Sequence, residues 1–130
     1  MVKLGYTILY VSDVTKSIEF YEKAFGFERK FITPENDYGE LLSGETTISF
    51  VSKELANSNL KNGFIESSQL DKPFGIELAL VTDNVQTIID KAFELGALVI
   101  EKPIQKPWGQ TVGYIQDIDG FLLEICTSMK

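Results

Sequence analysis

The chain has 130 residues, of which 44% are hydrophobic and 24% are charged, and these proportions predict one soluble globular domain. The formal net charge is -7, which disfavours nucleic acid and anionic lipid as partners and favours a cationic small molecule. Because the chain contains no histidine, catalytic triads and metal sites that need imidazole are excluded.

Apolar runs, cysteine content and arginine content exclude further classes of protein and ligand. No apolar run approaches the ~20 residues that span a bilayer, and the N-terminus has no signal-like core, so a cytoplasmic protein without a membrane partner is predicted. The lone cysteine, Cys126, is predicted to be a small buried apolar residue. The single arginine, Arg29, leaves the chain without the usual clamp for substrates that carry several carboxylates or phosphates.

The first half of the chain predicts a strand, a helix and three further strands. Alternation over residues 6–11 places Tyr6, Ile8 and Tyr10 on one face of the first strand. Asp13 is a typical helix N-cap and Gly26 a typical helix terminator, so a helix is predicted between them. Three strands are then predicted at 27–33, 38–42 and 46–52.

The second half repeats this order. Val81-Thr82-Asp83 follows Val11-Ser12-Asp13 at an interval of 70 residues (81 − 11). Alternation predicts a strand at 75–81 that carries Glu77 on one face, and Asp83 with Gln86 resembles a capping box for a helix that ends at Gly96. The other strands are predicted at 98–102, 111–116 and 121–127, with a turn from Asp117 to Gly120.

The repeat predicts an α+β fold in which two βαβββ modules pair into a curved mixed sheet around a cleft. The whole chain, 1–130, is one domain in this interpretation. The first module covers 1–52, a polar segment at 53–73 is predicted to be a linker that acts as a flap, and the second module covers 74–130.

The order and spacing of several short motifs resemble those of the vicinal oxygen chelate superfamily, which includes glyoxalases, bleomycin-resistance proteins and extradiol dioxygenases. The motifs are Tyr10-Val11-Ser12-Asp13, Ser17 to Tyr21, Phe25-Gly26-Phe27, Asp117 to Gly120 and Leu123-Glu124. Members that hold a divalent metal use one residue from the first and one from the last strand of each module. The resemblance places Tyr6, Ser49, Glu77 and Glu124 at those positions.

This donor set predicts no functional metal. A phenol and a hydroxyl do not readily lose a proton to a divalent ion at neutral pH, which leaves only the carboxylates Glu77 and Glu124. Two carboxylates could hold Mg²⁺ weakly through water, but they would bind zinc, iron or nickel poorly. The alternative is that both glutamates are solvated side chains on a polar face.

Other candidate ligand contacts are aromatic. Trp108 could stack on a planar or cationic ligand, or it could be wedged beneath a Pro-Gly turn. Tyr6, Tyr10 and Tyr114 are candidate cleft residues that could equally fill the core. Ser49 is favoured over its neighbour Phe50 as the residue that faces the cleft. Four phenylalanines are predicted to belong to the core: Phe20, Phe25, Phe27 and Phe93.

Three functions remain open. The first is a homodimeric protein resembling the bleomycin-resistance branch, which sequesters a bulky cationic compound without chemistry or cofactor. The second is a glyoxalase-like lyase or isomerase in which Glu77 or Glu124 removes a proton next to a carbonyl. The third is a protein interaction module whose cleft is filled by side chains. In this family resemblance, modules from two subunits combine to form each cleft.

Overall fold

A computed structural model describes residues 1–129, and contacts divide them into two compact units, Met1–Glu66 and Ser67 onward. The first unit contains β1 (Thr7–Val11), α1 (Val14–Phe25), β2 (Glu28–Ile32), β3 (Tyr38–Ser43), β4 (Thr46–Ser52) and α2 (Lys53–Asn59). Its four strands form one sheet in the order β1-β4-β3-β2, in which β1 and β4 are parallel and the other pairs are antiparallel.

Helix α1 begins and ends where the sequence predicts. The Asp13 side chain accepts a hydrogen bond from the Lys16 backbone N–H at 3.1 Å, and Gly26 adopts the left-handed conformation with φ 74°. The buried stripe of the helix packs on β3 at Gly39, where an added Cβ would lie 2.5 Å from Ile18 Cδ1. The absence of a side chain at Gly39 therefore allows the helix to approach the sheet closely.

The second unit has the same architecture. It contains β5 (Leu78–Val81), α3 (Val85–Glu94), β6 (Leu98–Gln105), β7 (Thr111–Gln116) and β8 (Leu122–Cys126). The strand order is β5-β8-β7-β6, and α3 packs on β7 at Gly113, where an added Cβ would lie 2.5 Å from Ile89 Cδ1. The predicted α+β fold with two βαβββ modules is confirmed. Among residues 1–129, no helix is both long and apolar enough to cross a membrane.

The interval of the repeat is 71 residues rather than the 70 suggested by the matching tripeptides. Asp13 is the N-cap of α1, but the N-cap of α3 is Asn84, which makes no side-chain capping hydrogen bond. The predicted capping box at Asp83 is therefore wrong. The shift also reverses a side chain, since Val11 is fully buried against the helix and Val81 is 66% exposed on the other face.

Three other sequence predictions differ from the structure. Residues Lys53–Asn59 of the predicted flap form α2, which begins at Ser52, whose hydroxyl accepts a hydrogen bond from the Leu55 backbone N–H. Strand β5 begins at Leu78, later than predicted, so Glu77 lies just before it. Phe93 is exposed rather than in the core, because α3 buries the stripe Val85, Ile89 and Ala92.

Candidate functional site

In the second unit, the sheet face opposite α3 carries a group of polar side chains. Strand pairing places Ala79, Glu124 and Tyr114 side by side on β5, β8 and β7. Glu77 precedes Ala79 by two residues and comes within hydrogen-bonding distance of Glu124. The sheet therefore brings together Glu77, Glu124 and Tyr114, three of the residues singled out from the sequence.

Glu77 and Glu124 form a carboxyl pair that favours retention of a proton. Partial burial, followed by the negative charge of Glu124 and the hydrogen bond to it, raises the pKa of Glu77. A protonated Glu77 can donate to the carboxylate of Glu124, whereas two ionised carboxylates at this distance would repel each other. Among residues 1–129, neither glutamate forms an ion pair with lysine or arginine. Their negative charge is therefore available to a cation.

Tyr114 is a hydrogen-bond donor to this pair. Its hydroxyl donates to Glu124 Oε1 at 3.1 Å. Burial and the hydrogen bond to Glu124 raise the pKa of Tyr114, so the phenol remains protonated. Tyr114 thus stabilises negative charge on Glu124 without neutralising it.

A hydrogen-bonded chain connects the carboxyl pair with Trp108. Burial and the hydrogen bond to Glu124 raise the pKa of Cys126 to about 11, and the same thiol contacts the Gln110 side chain. Gln110 accepts a hydrogen bond from Trp108 Nε1 at 2.9 Å and donates one to the Thr127 carbonyl at 2.9 Å. Trp108 is therefore held at its indole nitrogen while the residue remains 62% exposed.

An apolar depression adjoins the carboxyl pair. It has a volume of about 280 Å³, and its wall includes Phe74, Ile76 and Leu122 beside Glu77 and Tyr114. A depression of this size can accommodate part of a small organic ligand while Glu77 lies at its edge. Neither Gln110 nor Cys126 was singled out as a site residue from the sequence, because their connection to Glu124 depends on cross-strand register.

In the first unit, Ser49 is fully buried on the sheet face opposite α1 and pairs in register with Glu40. The Tyr38 hydroxyl lies 2.5 Å from Glu40 Oε2 and 3.1 Å from Ser49 Oγ. A phenol has one proton, which the shorter contact assigns to Glu40, so Ser49 donates to Tyr38. Sequence reasoning missed Tyr38 and Glu40, although alternation along β3 does place them on one face.

The two other tyrosines predicted in the first unit have different environments. Tyr10 packs edge-on against Phe64, with ring centroids 4.8 Å apart, as expected if it fills apolar space. Tyr6 lies just before β1 and is largely exposed. Whether Tyr6, Tyr10 and Ser49 share a cleft with the second unit stays a prediction.

Comparison with known proteins identifies the family. A model described as a glyoxalase-like domain matches residues 4–130. The chain belongs to the glyoxalase-like domain family. It is 24% identical to the virulence protein STM3117 of Salmonella typhimurium over 127 residues, which cover 95% of this chain and 82% of the relative.

Solved structures confirm the vicinal oxygen chelate fold. A glyoxalase-related enzyme from Fulvimarina pelagi superposes with a TM-score of 0.81 at 17% identity, covering 98% of this chain and 89% of that one. A glyoxalase/bleomycin resistance protein/dioxygenase family enzyme from Burkholderia phytofirmans gives 0.79 at 22% identity, covering 97% and 98%. At these identities the likeness shows the fold alone.

The metal-ligand positions of this glyoxalase-like protein do not fit a transition ion. The buried Ser49 hydroxyl is engaged with Tyr38, and Tyr6 offers a phenol in place of a carboxylate or an imidazole. Only Glu77 and Glu124 among the four positions supply carboxyl groups, and two carboxylates bind zinc, iron or nickel poorly. Within residues 1–129, no three acidic, cysteine or histidine side chains form a group that could hold a metal ion.

Proposed function

We propose that this glyoxalase-like protein binds and sequesters a small cationic compound, in the manner of bleomycin-resistance proteins and without a metal or other cofactor. The observation that carries this proposal is the carboxyl pair Glu77 and Glu124. The pair lies beside an apolar depression, is held by Tyr114, and is linked through a hydrogen-bonded chain to the exposed Trp108.

The charge of the site supports a cationic ligand. Neither Glu77 nor Glu124 has a cationic partner among the described residues, and the net charge of -7 adds a long-range attraction. A cation that contacts both carboxyls favours their ionised forms and displaces the shared proton. The depression would take an apolar part of the ligand, and the indole of Trp108 would add a stacking surface.

The protein is further proposed to act in the cytoplasm as a homodimer, as its resemblance to bleomycin-resistance proteins suggests. Tyr6, Tyr10 and Ser49 of the first unit are proposed as further ligand contacts. Light scattering after size-exclusion chromatography tests the dimer, for which a mass near twice 14.6 kDa is expected.

One observation favours a second function, a glyoxalase-like lyase or isomerase. The raised pKa of Glu77 suits a carboxyl that takes a proton from a carbon next to a carbonyl and returns it to a neighbouring atom. The described site offers few groups to stabilise the resulting enolate, since imidazole is absent and Arg29 is engaged with Glu22 at 2.9 Å. Tyr114 could donate one hydrogen bond to that oxygen.

Calorimetric titration tests whether the carboxyl pair binds the ligand. Bleomycin, a cationic glycopeptide, should bind the wild-type protein and quench Trp108 fluorescence, and Glu124→Gln should weaken its affinity by about tenfold or more. Glu94→Gln removes an equally negative, exposed side chain from α3 and should leave the affinity unchanged. Equal affinities in the two variants would overturn the assignment of the site.

The fate of the ligand separates the two functions. Mass spectrometry should recover the bound compound unaltered after incubation, and NMR in D₂O should show no deuterium at carbons next to carbonyls in a panel of 2-oxo compounds. Deuterium uptake that Glu77→Gln abolishes would instead establish the lyase or isomerase function.

A further inference from the structure

Glu40 in the first unit is a mostly buried carboxylate that the proposed function does not use. Its side chain is 13% exposed and lies on the sheet face opposite α1, in register with Ser49. Glu40 Oε2 accepts the short hydrogen bond from Tyr38, a neutral donor. Burial and this hydrogen bond raise the pKa of Tyr38, so the phenol keeps its proton and donates a hydrogen bond to the Glu40 carboxyl.

The only cation paired with Glu40 among the described residues is loosely placed. Lys30 Nζ lies 3.6 Å from Glu40 Oε1, beyond the usual 2.7–3.2 Å range of a hydrogen bond, and its side chain is 54% exposed. Lys30 lies at the point where the pairing of β2 with β3 shifts register, between Arg29 and Phe31. A pair in which the cation is exposed and loosely placed contributes little, so a better-fitting cation could displace Lys30.

Three aromatic residues lie on the same face of the sheet as Glu40. Phe31 pairs in register with Glu40, and its ring centroid lies 5.8 Å from that of Tyr38. Tyr6 precedes Ile8 by two residues, and Ile8 pairs with Ser49, which places Tyr6 on the same face and close enough to influence the Tyr38 phenol. Phe31 and Tyr6 are both substantially exposed. A partly buried anion among accessible rings is the arrangement that recognises alkylated ammonium ions.

We propose that Glu40, Tyr38 and Phe31 form a second ligand site, which binds a methylated or quaternary ammonium group in place of Lys30. An alkylated ammonium is less strongly hydrated than a primary amine and can contact the ring faces, while its charge is balanced by Glu40. Glu40 Oε1, which does not accept from Tyr38, would make with the ammonium ion the contact that Lys30 makes only at 3.6 Å. All of its residues lie within the first unit, beside Ser49, and its occupant is tested separately from the function proposed for Glu77 and Glu124.

Calorimetric titration with tetramethylammonium chloride tests this site, with potassium chloride at the same ionic strength as the blank. Saturable binding is expected in the wild type. Lys30→Met should tighten it severalfold because the competing cation is gone, and Glu40→Gln should weaken it by about tenfold. Glu45→Gln removes an exposed carboxylate from the same unit and should have no effect.

Three further variants locate the binding and keep the test decisive if Glu40→Gln is unstable. Phe31→Leu should weaken tetramethylammonium binding, and Phe31→Tyr should retain it because the ring is kept. The double variant Glu77→Gln/Glu124→Gln should leave it intact. Loss of binding in the double variant would place the ammonium ion in the second unit. That result, or binding unaffected by both Glu40→Gln and Phe31→Leu, would overturn the proposal.

Discussion

Glu40 and Tyr114 occupy equivalent positions in the third strands of the two units. Glu40 pairs in register with Ser49, and Tyr114 pairs in the same way with Glu124. In the first unit the carboxylate is on the third strand and the paired hydroxyl is on the fourth. In the second unit the hydroxyl is on the third strand and the carboxylate is on the fourth. In each unit a tyrosine hydroxyl donates to the carboxylate, Tyr38 to Glu40 at 2.5 Å and Tyr114 to Glu124 at 3.1 Å. Each sheet thus presents a negative charge stabilised by a neutral donor.

Cation binding to the second unit should strengthen as pH rises. Because the pKa of Glu77 is raised above its ordinary 4.5, Glu77 holds its proton at pH values where a solvated glutamate is ionised. The association constant for bleomycin should rise by up to about tenfold per pH unit through the pKa of Glu77, which is the limit for release of one proton. Titrations in buffers of constant ionic strength measure this rise. Glu77→Gln should make the association constant for bleomycin less dependent on pH. If the variant shows the same dependence on pH as the wild type, the proton is not on Glu77.

The proton on Glu77 should stabilise the folded protein at low pH, so stability should fall over the pH range in which cation binding strengthens. A carboxyl whose pKa is raised in the folded state binds its proton more tightly there than in the unfolded chain. Its stabilising contribution is therefore fully present below the ordinary pKa of 4.5 and is lost as pH rises through the pKa of folded Glu77. Urea denaturation should show that the wild type loses stability relative to Glu77→Gln over this interval. A difference that does not vary with pH would exclude the shared proton.

Cys126 should be unreactive in the folded protein. The thiol is buried, and burial together with the hydrogen bond to Glu124 raises its pKa to about 11, so little thiolate forms at pH 8. Reaction with a chromogenic disulfide reagent should be about a hundredfold slower, or slower still, in the native protein than in the urea-unfolded chain. Similar rates in the two states would show that the thiol is accessible and ionised.

The two helix starts should respond differently to loss of an aspartate. Asp13 accepts a hydrogen bond from the Lys16 backbone N–H, so Asp13→Ala should lower the free energy of unfolding by about 1 kcal/mol. That backbone hydrogen bond also lowers the pKa of Asp13, so the contribution is present above the ordinary 3.8 and is lost as pH falls. Asp83 precedes the cap, and Asp83→Ala should change stability by less than about 0.5 kcal/mol. Equal losses at neutral pH would contradict the observed caps.

The sequence predicted the repeated architecture but not its register to the residue. Helix periodicity and the terminal glycine gave α1 correctly, because hydrophobic spacing and left-handed backbone are both local properties. The start of α3 was predicted one residue early, since adjacent Asp83 and Asn84 are both suitable caps and only packing selects between them. Counting back from the helix ends nevertheless placed Tyr6 and Glu77 at the 71-residue interval of the structure.

Site residues were predictable where one strand sufficed and were missed where two strands had to be paired. Glu77 and Glu124 stand out from the family motif and strand alternation. The contacts of Glu40 and Cys126 depend on the cross-strand register, which a single strand does not encode. Helix α2 was missed because only Ala56 of its residues is buried, so it lacks an apolar periodicity.

The close packing of α3 on β7 predicts a pair of coupled substitutions. Gly113→Ala would place a Cβ 2.5 Å from Ile89 Cδ1, so the variant should lose about 1–3 kcal/mol from overpacking. Ile89→Val removes Cδ1 and should alone cost about 1 kcal/mol. In the double variant the added methyl group occupies the vacated space, so the total loss should be smaller than the sum by about 1 kcal/mol or more. Urea denaturation of all four proteins measures this coupling.

Gly75→Ala is the control, because an added Cβ there has no neighbour within 4 Å, and its stability should be nearly unchanged. Additive losses would show that Ile89 can move aside and that the helix does not depend on the bare backbone at Gly113.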